Sequence, residues 1–515
     1  MDNSVLWTLI AVQVIMGAFD TLYHHEGTER LVWRASQKNE LRLHGVRNIF
    51  YAAIFICFGW FEPHGLFTIA LAVILGVEVL ITLWDFVEED LTRKLPATER
   101  INHTLLALNY GAILALAAPY LHDWALRDTA IVATHYGWWS VFASGSALGV
   151  FIFGIRELLA AARSDRLLPP DAEHLVSGLT GCKRILITGG TGFIGTRLVE
   201  ALVAARHQVT VLTRDKSHAE NLAGPICVVT SLDQVPDDQR FDVVINLAGD
   251  PVANSLWSPK KRAEIIASRV DTTRQLVQLI ARLETKPECL VSGSAIGWYG
   301  LNDDDDLTED ANPHDCFVHE VCASWEHEAD AARQLGVRVV TLRIGLVLGV
   351  EGGMLARLLT PFEFGLGGPM GRGKHWMSWI ALDDVVRMIA FIIADRQIYG
   401  PVNATAPNPV TNEVFTRALA ASLNRPAVMR VPARLLEFVL GDLAREALLG
   451  GQKVLPEKIL NAGFHFLHAD IHSSLKTITG ARSSGWPGLW PGSGNFPIRH
   501  ASAGWQPKSE GRCLR

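Results

Sequence analysis

The sequence predicts a bundle of membrane-length α-helices followed by an α/β domain with a parallel sheet and a small C-terminal helical region. Three observations predict it. Apolar residues make up 49% of the 515 residues and crowd the first third of the chain, where they raise the mean hydropathy to +0.19 overall. A glycine-rich turn, Thr188-Gly189-Gly190-Thr191-Gly192-Phe193-Ile194-Gly195, stands between the β-branched run Arg184–Ile187 and an apolar-periodic helix, Thr196–Ala205. From there, strand and helix patterns alternate to about residue 345.

The first third carries five apolar segments: Val5–Leu22, Ile49–Phe61, Leu66–Phe86, Leu105–Leu121 and Trp138–Ile155. Several approach the roughly 20 residues needed to cross a bilayer. The second is short and draws on Leu41–Arg47, with Arg42 and Arg47 snorkelling. The first is a poor signal peptide, because Asp2 stands where a basic region belongs. Lys and Arg concentrate in alternate connections: Arg30, Arg34, Lys38, Arg42 and Arg47 in the first, none around Glu62-Pro63-His64, then Arg93, Lys94 and Arg100 in the third. The positive-inside rule then puts the N-terminus outside and everything after the fifth helix in the cytoplasm of a bacterial inner membrane. Residues 1–160 are the expected membrane domain, and 161–182, with Pro169-Pro170, the linker.

That topology gathers Asp20, His24, His25, Glu26, His44, Arg47, Asp85, Glu88, Glu89, Asp90, Glu99, Arg100 and His103 at one membrane face, with Glu78 deeper. Ionisable groups in a membrane are functional candidates by default. Two readings stand: a metal or haem site, or a salt-bridge network that docks the cytoplasmic part. Docking is preferred and no metal ligand is assigned, because Glu99 and His103 are four apart rather than the three of the di-iron Glu-x-x-His pattern. Seven cysteines without metal spacing fit a reduced compartment, and a net charge of −6 with a pI near 6.3 leaves no nucleic-acid footprint.

The glycine turn has the strand–turn–helix context of a dinucleotide-binding Rossmann fold. Gly189 permits the tight turn, Gly192 lets backbone approach a pyrophosphate, and Gly195 lets the helix pack close to the sheet. The helix N-terminus offers N–H groups to phosphate. The second strand, Gln208–Leu212, ends in Thr213-Arg214. Arg at this place suits the 2′-phosphate of NADP, where NAD-specific folds carry an acid; Asp215 is the competing acid. The fourth strand runs into Asn246-Leu247-Ala248-Gly249, whose small residues admit a cofactor. The fifth, Cys289–Ser292, leads to Gly293-Ser294-Ala295-Ile296-Gly297-Trp298-Tyr299-Gly300.

With these segments, Arg343–Gly349, Phe364–Gly373, Trp379-Ile380, Asp383-Asp384 and Asn403–Asn412, the chain resembles the extended short-chain dehydrogenase/reductases. It is similar within them to the atypical epimerase-like subfamily with a C-terminal helical domain of unknown function, here 425–478 after a Rossmann and substrate region at 183–424. The membrane third resembles an N-terminal extension of some bacterial members. The resemblance implies NADPH contacts at Gly189, Gly192, Phe193, Ile194 and Gly195, at Thr213 and Arg214, at Leu247 and Ala248, and at Glu264 and Arg269. Arg269 is read as a phosphate contact oriented by Glu264, the alternative being an exposed helix ion pair. The resemblance also implies a catalytic Ser, at Ser294, and a Tyr-x-x-x-Lys pair. Val318 and Cys322 occupy those two positions, and neither does that proton chemistry. Tyr299 and His319, and less directly His375, are the substitutes considered.

Two function classes follow. One is a membrane-anchored NADP-dependent oxidoreductase on a small-molecule or lipid-linked substrate, with membrane lipid as its other partner, no nucleic acid, and any protein partner unknown. The other is a non-catalytic NADPH-binding sensor coupled to the membrane part. The stretch from 479 to 515, rich in Trp, Pro and Gly, lacks any period and is expected to be disordered.

Overall fold

The computed structural model describes residues 3–481 except 94, 168, 254, 303 and 304. It divides into two units, Met1–Pro169 with Thr477–Gly480, and Pro170–Lys476 with the remainder.

The first unit holds five helices long and apolar enough to cross a membrane. They are α1 (Ser4–Phe19), α2 (Lys38–Trp60), α3 (Leu66–Thr92), α4 (Ala97–Ala125) and α5 (Trp138–Arg163). Asn3 starts α1 by accepting from the Val5 and Leu6 amides at 3.0 and 3.2 Å. α1 continues as a π-helical stretch, Asp20–Glu29. α2 begins well before its apolar run, so the short second segment does borrow from Leu41–Arg47. Glycines let α2 and α5 pack backbone to backbone: a Cβ on Gly45 would lie 2.9 Å from the Gly154 carbonyl oxygen, and the reverse holds for Gly154. A short antiparallel ribbon, Phe61–Pro63 with Ile131–Ala133, ties two connections together. Leu66, Leu80, Leu91 and Leu108 point outward.

The second unit is built on seven parallel strands: β1 (Arg184–Thr188), β2 (Gln208–Leu212), β3 (Cys227–Val229), β4 (Val243–Asn246), β5 (Cys289–Ala295), β6 (Arg338–Ile344) and β7 (Gly400–Ala404). Their order is β3-β2-β1-β4-β5-β6-β7. The chain winds outward one way from β1, then returns to wind the other way from β4. This doubly wound order leaves a crevice beyond the C-terminal ends of β1 and β4. The strands are near-continuous apolar runs because helices cover both faces; Ile185, Leu186, Ile187, Val244, Ile245 and Val291 are fully buried. Three helices position the site: α6 (Phe193–Ala204), α7 (Pro259–Arg282) and α8 (Phe317–Asp330).

Three boundaries differ from the expected ones. The stretch 161–182 is no plain linker, because Leu175, Val176 and Leu179 join the sheet's apolar core. The C-terminal helical region is no separate body. Lys453–Val454 pairs with Asp306–Leu307, Met370 bridges Val431, and a Cβ on Gly368 would lie 2.2 Å from Met429 backbone. Thr479 is buried and Gly480 accepts from Arg166 Nε at 2.7 Å, so the ordered chain runs past 479. The rest of the expected disordered tail lies outside the described residues.

Candidate dinucleotide and substrate site

The crevice is shaped by backbone. Gly189 has φ +71°, the left-handed region that favours glycine, and a Cβ on it would stand 2.6 Å from the Leu247 carbonyl. The turn after β1 thus rests directly on the segment after β4. A Cβ on Gly195 would lie 2.1 Å from the Gly189 oxygen. Gly195 therefore serves close packing of α6 on the turn itself, rather than on the sheet as expected. Gly192 occupies the N-cap of α6, and no side chain caps that helix, so its first N–H groups are left for an anionic ligand. Phe193 packs its ring on Gly349, Gly352 and Gly353, and Ile194 packs against the apolar core. These two support the turn with their side chains. A turn closed to a Cβ at Gly189 and Gly195, beside an uncapped helix end, fits a dinucleotide pyrophosphate.

At the end of β2, Thr213 Oγ1 donates to the Asp215 carbonyl at 2.9 Å. The Asp215 carboxylate accepts from the Ser217 amide at 2.9 Å, and its hydrogen bonds to Ser217 hold its pKa below the ordinary range. The competing acid is thereby committed to its own turn. Arg214 beside it is exposed, with no hydrogen bond or ion pair among the described residues.

Arg269 and Glu264 do not form the pair expected of them. Arg269 is buried on α7, donating to the carbonyls of Ile265 and Asp250 at 3.0 Å each, with its guanidinium over the Trp325 ring. It clamps the 249–250 loop. Glu264 is half-exposed and lies 3.6 Å from Lys261 and 3.9 Å from Lys260, which is the helix ion-pair alternative.

Beyond the ends of β5 and β6 lies a chamber of about 450 Å³. Ser294 opens onto it, as do Val318 and Cys322 at the positions of the missing pair. Burial pushes the Cys322 thiol up to about 12, so it stays protonated and cannot stand in for a lysine ammonium. His375 also lines the chamber, with its pKa lowered by burial. The C-terminal region supplies Glu446, Leu448 and Gln452 to its wall.

The structure places two expected substitutes elsewhere. Tyr299 is fully buried behind the wall, where its hydroxyl donates to Asn403 Oδ1 at 2.7 Å and accepts from Arg343 at 3.1 Å. His319 turns Nδ1 to the Trp298 carbonyl at 2.5 Å and is not among the lining side chains. Ser294, by contrast, donates to Glu326 Oε1 at 2.7 Å, and Arg343 holds both Glu326 oxygens at 2.9 and 3.0 Å. Glu326 was legible only as one helical turn beyond Cys322, on the same α8 stripe.

Residues 185–404 match the model of the NAD dependent epimerase/dehydratase family, and 431–478 match a domain of unknown function, DUF1731. The chain is 38% identical over 301 residues to epimerase family protein SDR39U1 homolog, chloroplastic, of Arabidopsis thaliana, covering 57% of this chain and 86% of that one. It belongs to this epimerase family. Epimerase family protein YfhF of Bacillus subtilis is 34% identical over 303 residues, 58% of this chain and 99% of the relative. The crystal structure of human epimerase family protein SDR39U1 (isoform 2) with NADPH aligns with TM-score 0.52 and 30% identity, over 57% of this family member and 99% of the human chain. Each of the three covers less than three fifths of this chain.

In the helical unit of this epimerase-family chain, Asp20, His24, His25, His44, Asp85, Glu89, Glu99 and His103 are all buried. Their ion-pair partners are one another and other residues of the same unit. They form an internal cluster, not the docking surface expected of them.

Proposed function

We propose that this chain is a membrane-anchored NADP-dependent oxidoreductase acting on a largely apolar carbonyl or alcohol. The observation that carries the chemistry is the Ser294–Glu326 hydrogen bond at the chamber wall. A bound nicotinamide supplies or accepts hydride, and the protein then owes the substrate oxygen one proton-handling group. Ser294 directs its own proton at Glu326, so its oxygen lone pairs are free to accept from a substrate hydroxyl. Arg343 keeps Glu326 in place and charge-balanced. The freed Arg214, the committed Asp215 and the NADPH bound by the human relative support NADP as cofactor.

The chamber argues for the substrate class. Val252, Ile296, Phe317, Leu346, Met354 and Met370 dominate its wall. Its one lining cation among the described residues, Arg269, is spent on backbone carbonyls. A nucleoside diphosphate sugar would find no free positive charge there. The five apolar helices support anchoring in a bilayer, with the dinucleotide unit cytoplasmic.

The sensor reading rests on Val318 and Cys322 lining the chamber where a Tyr and a Lys would act. NADPH consumption by the purified full chain, supplied with a membrane lipid extract, decides between them. Turnover that drops roughly 10²–10⁴-fold in Ser294→Ala, with NADPH affinity retained, supports the oxidoreductase. Consumption equal in parent and Ser294→Ala, or none in either, supports the sensor.

A further inference from the structure

We infer that the helical unit holds a transition-metal centre. Four helical segments each send an i,i+4 pair of potential ligands inward: Asp20 and His24, Glu40 and His44, Asp85 and Glu89, Glu99 and His103. The π-helical turn of Asp20–Glu29 adds His25 to the same interior. Two sets of four ligand atoms result, each with all its atoms within 4.8 Å of one another. One is Asp20, His25, Glu99 and His103; the other is His25, Glu40, His44 and Glu89. His25 is common to both. Every member is buried.

The unpaired atoms point to an ion. His25 is 5% exposed, and neither ring nitrogen has a hydrogen-bond partner, although Nε2 lies 3.4 Å from Asp20 Oδ2 and 3.8 Å from Glu99 Oε1. Both Glu89 oxygens are likewise unpartnered by hydrogen bonds, one 3.8 Å from His44 and the other 3.3 Å from His103. Buried polar atoms this close and this poorly aligned are costly unless something between them binds both.

Charge makes the same demand. Glu40, Glu89 and Glu99 share a single guanidinium, Arg93, at 3.0, 3.8 and 2.6 Å, while Asp20 meets only histidines as possible cations, His24 at 2.9 Å, His103 at 3.1 Å and His25 at 3.4 Å. Arg47 is spent on Asp85 at 2.7 Å. Buried carboxylates need compensation. Protonating both His25 and His44 supplies it poorly, because their rings stack 4.7 Å apart and within 6° of parallel. Two imidazolium rings in that geometry repel. A divalent ion compensates the carboxylates and leaves both rings neutral.

Mixed imidazole and carboxylate ligands without thiolate suit Fe(II), Mn(II) or Zn(II). A cavity of about 540 Å³ in the same unit is lined by Asp20, His25, His44 and His103 and otherwise mostly by apolar side chains. An ion there keeps a side open toward an apolar molecule, as catalytic rather than structural sites do.

The test uses the full chain in detergent. Elemental analysis of the purified protein should find at least one Fe, Mn or Zn per chain, and a chelator should remove it. Reloading the stripped protein with Mn(II), Fe(II) or Zn(II) singly should restore one or two ions, according to whether one or both sets fill. His25→Ala, which strikes both sets, should weaken reloading at least tenfold. His103→Ala should spare the second set, and His122→Ala, on no set, should bind like the parent. A parent that carries no ion and takes up none of the three overturns the inference, whatever the variants do. So does His25→Ala that reloads like the parent.

Discussion

Gly195 stands so close to Gly189 that a Cβ on it would lie 2.1 Å from the Gly189 carbonyl oxygen. No backbone atom can yield that much without moving the turn. Gly195→Ala should therefore lower stability by about 1–3 kcal/mol, as overpacking does, and weaken NADPH binding at least tenfold. Calorimetric titration and thermal unfolding check it. Parent-like affinity would show that the turn does not carry the pyrophosphate.

Arg214 should set cofactor choice. Because its guanidinium is exposed and Asp215 is engaged with Ser217, Arg214→Ala should remove about 1–3 kcal/mol of NADPH-over-NADH preference. The affinity for NADH should stay within about twofold. Equal binding of both cofactors by the parent removes Arg214 from the site.

Arg343 and Glu326 form a buried pair, 3% and 13% exposed at their side chains. Arg343→Ala leaves the carboxylate uncompensated and should cost about 3–5 kcal/mol of stability. Glu326→Gln keeps the shape and the hydrogen bond to Ser294, so it should fold and bind NADPH while losing turnover. An active Glu326→Gln enzyme would limit Glu326 to a structural role.

His375 gives a pH signature. Burial depresses its pKa from 6.5, so the unfolded chain binds this proton more readily than the folded chain. The contribution to stability is fully present above about pH 6.5 and is lost as pH falls through the folded value. The parent should lose more thermal stability than His375→Gln on acidification from about pH 7.5 to 5. Parallel curves would place His375 in an ordinary aqueous environment.

Topology is open to a simple assay. Reporter fusions after residues 64 and 170 should report opposite compartments, with 64 outside. One compartment for both would dismantle the five-span arrangement.

The cofactor crevice was legible because its determinants are local. A strand, three spaced glycines and a helix lie within one short stretch, and only the contacts of Gly189 with Leu247 and of Gly195 with the turn go beyond that local pattern. The protein partners of Arg269 were not legible because they include the Asp250 carbonyl, which the return of the 249–250 loop brings within reach. Ser294 and Glu326 are 32 residues apart, and no spacing rule links the end of β5 to the middle of α8. The cluster in the helical unit misled for another reason. Charges at helix ends read as surface, and a π-helical register is invisible to a 3.6-residue period, so the inward turn of His25 had no signature.

The C-terminal segment gives the chamber Glu446, Leu448 and Gln452 but adds no strand to the seven-stranded sheet. The chamber wall is thus shared between this segment and the part of the chain that supplies Ser294, Phe317 and Met370, while the glycine turn at 189–195 lines no part of it. Changes at Glu446, Leu448 or Gln452 can therefore reshape the chamber without touching the backbone of that turn.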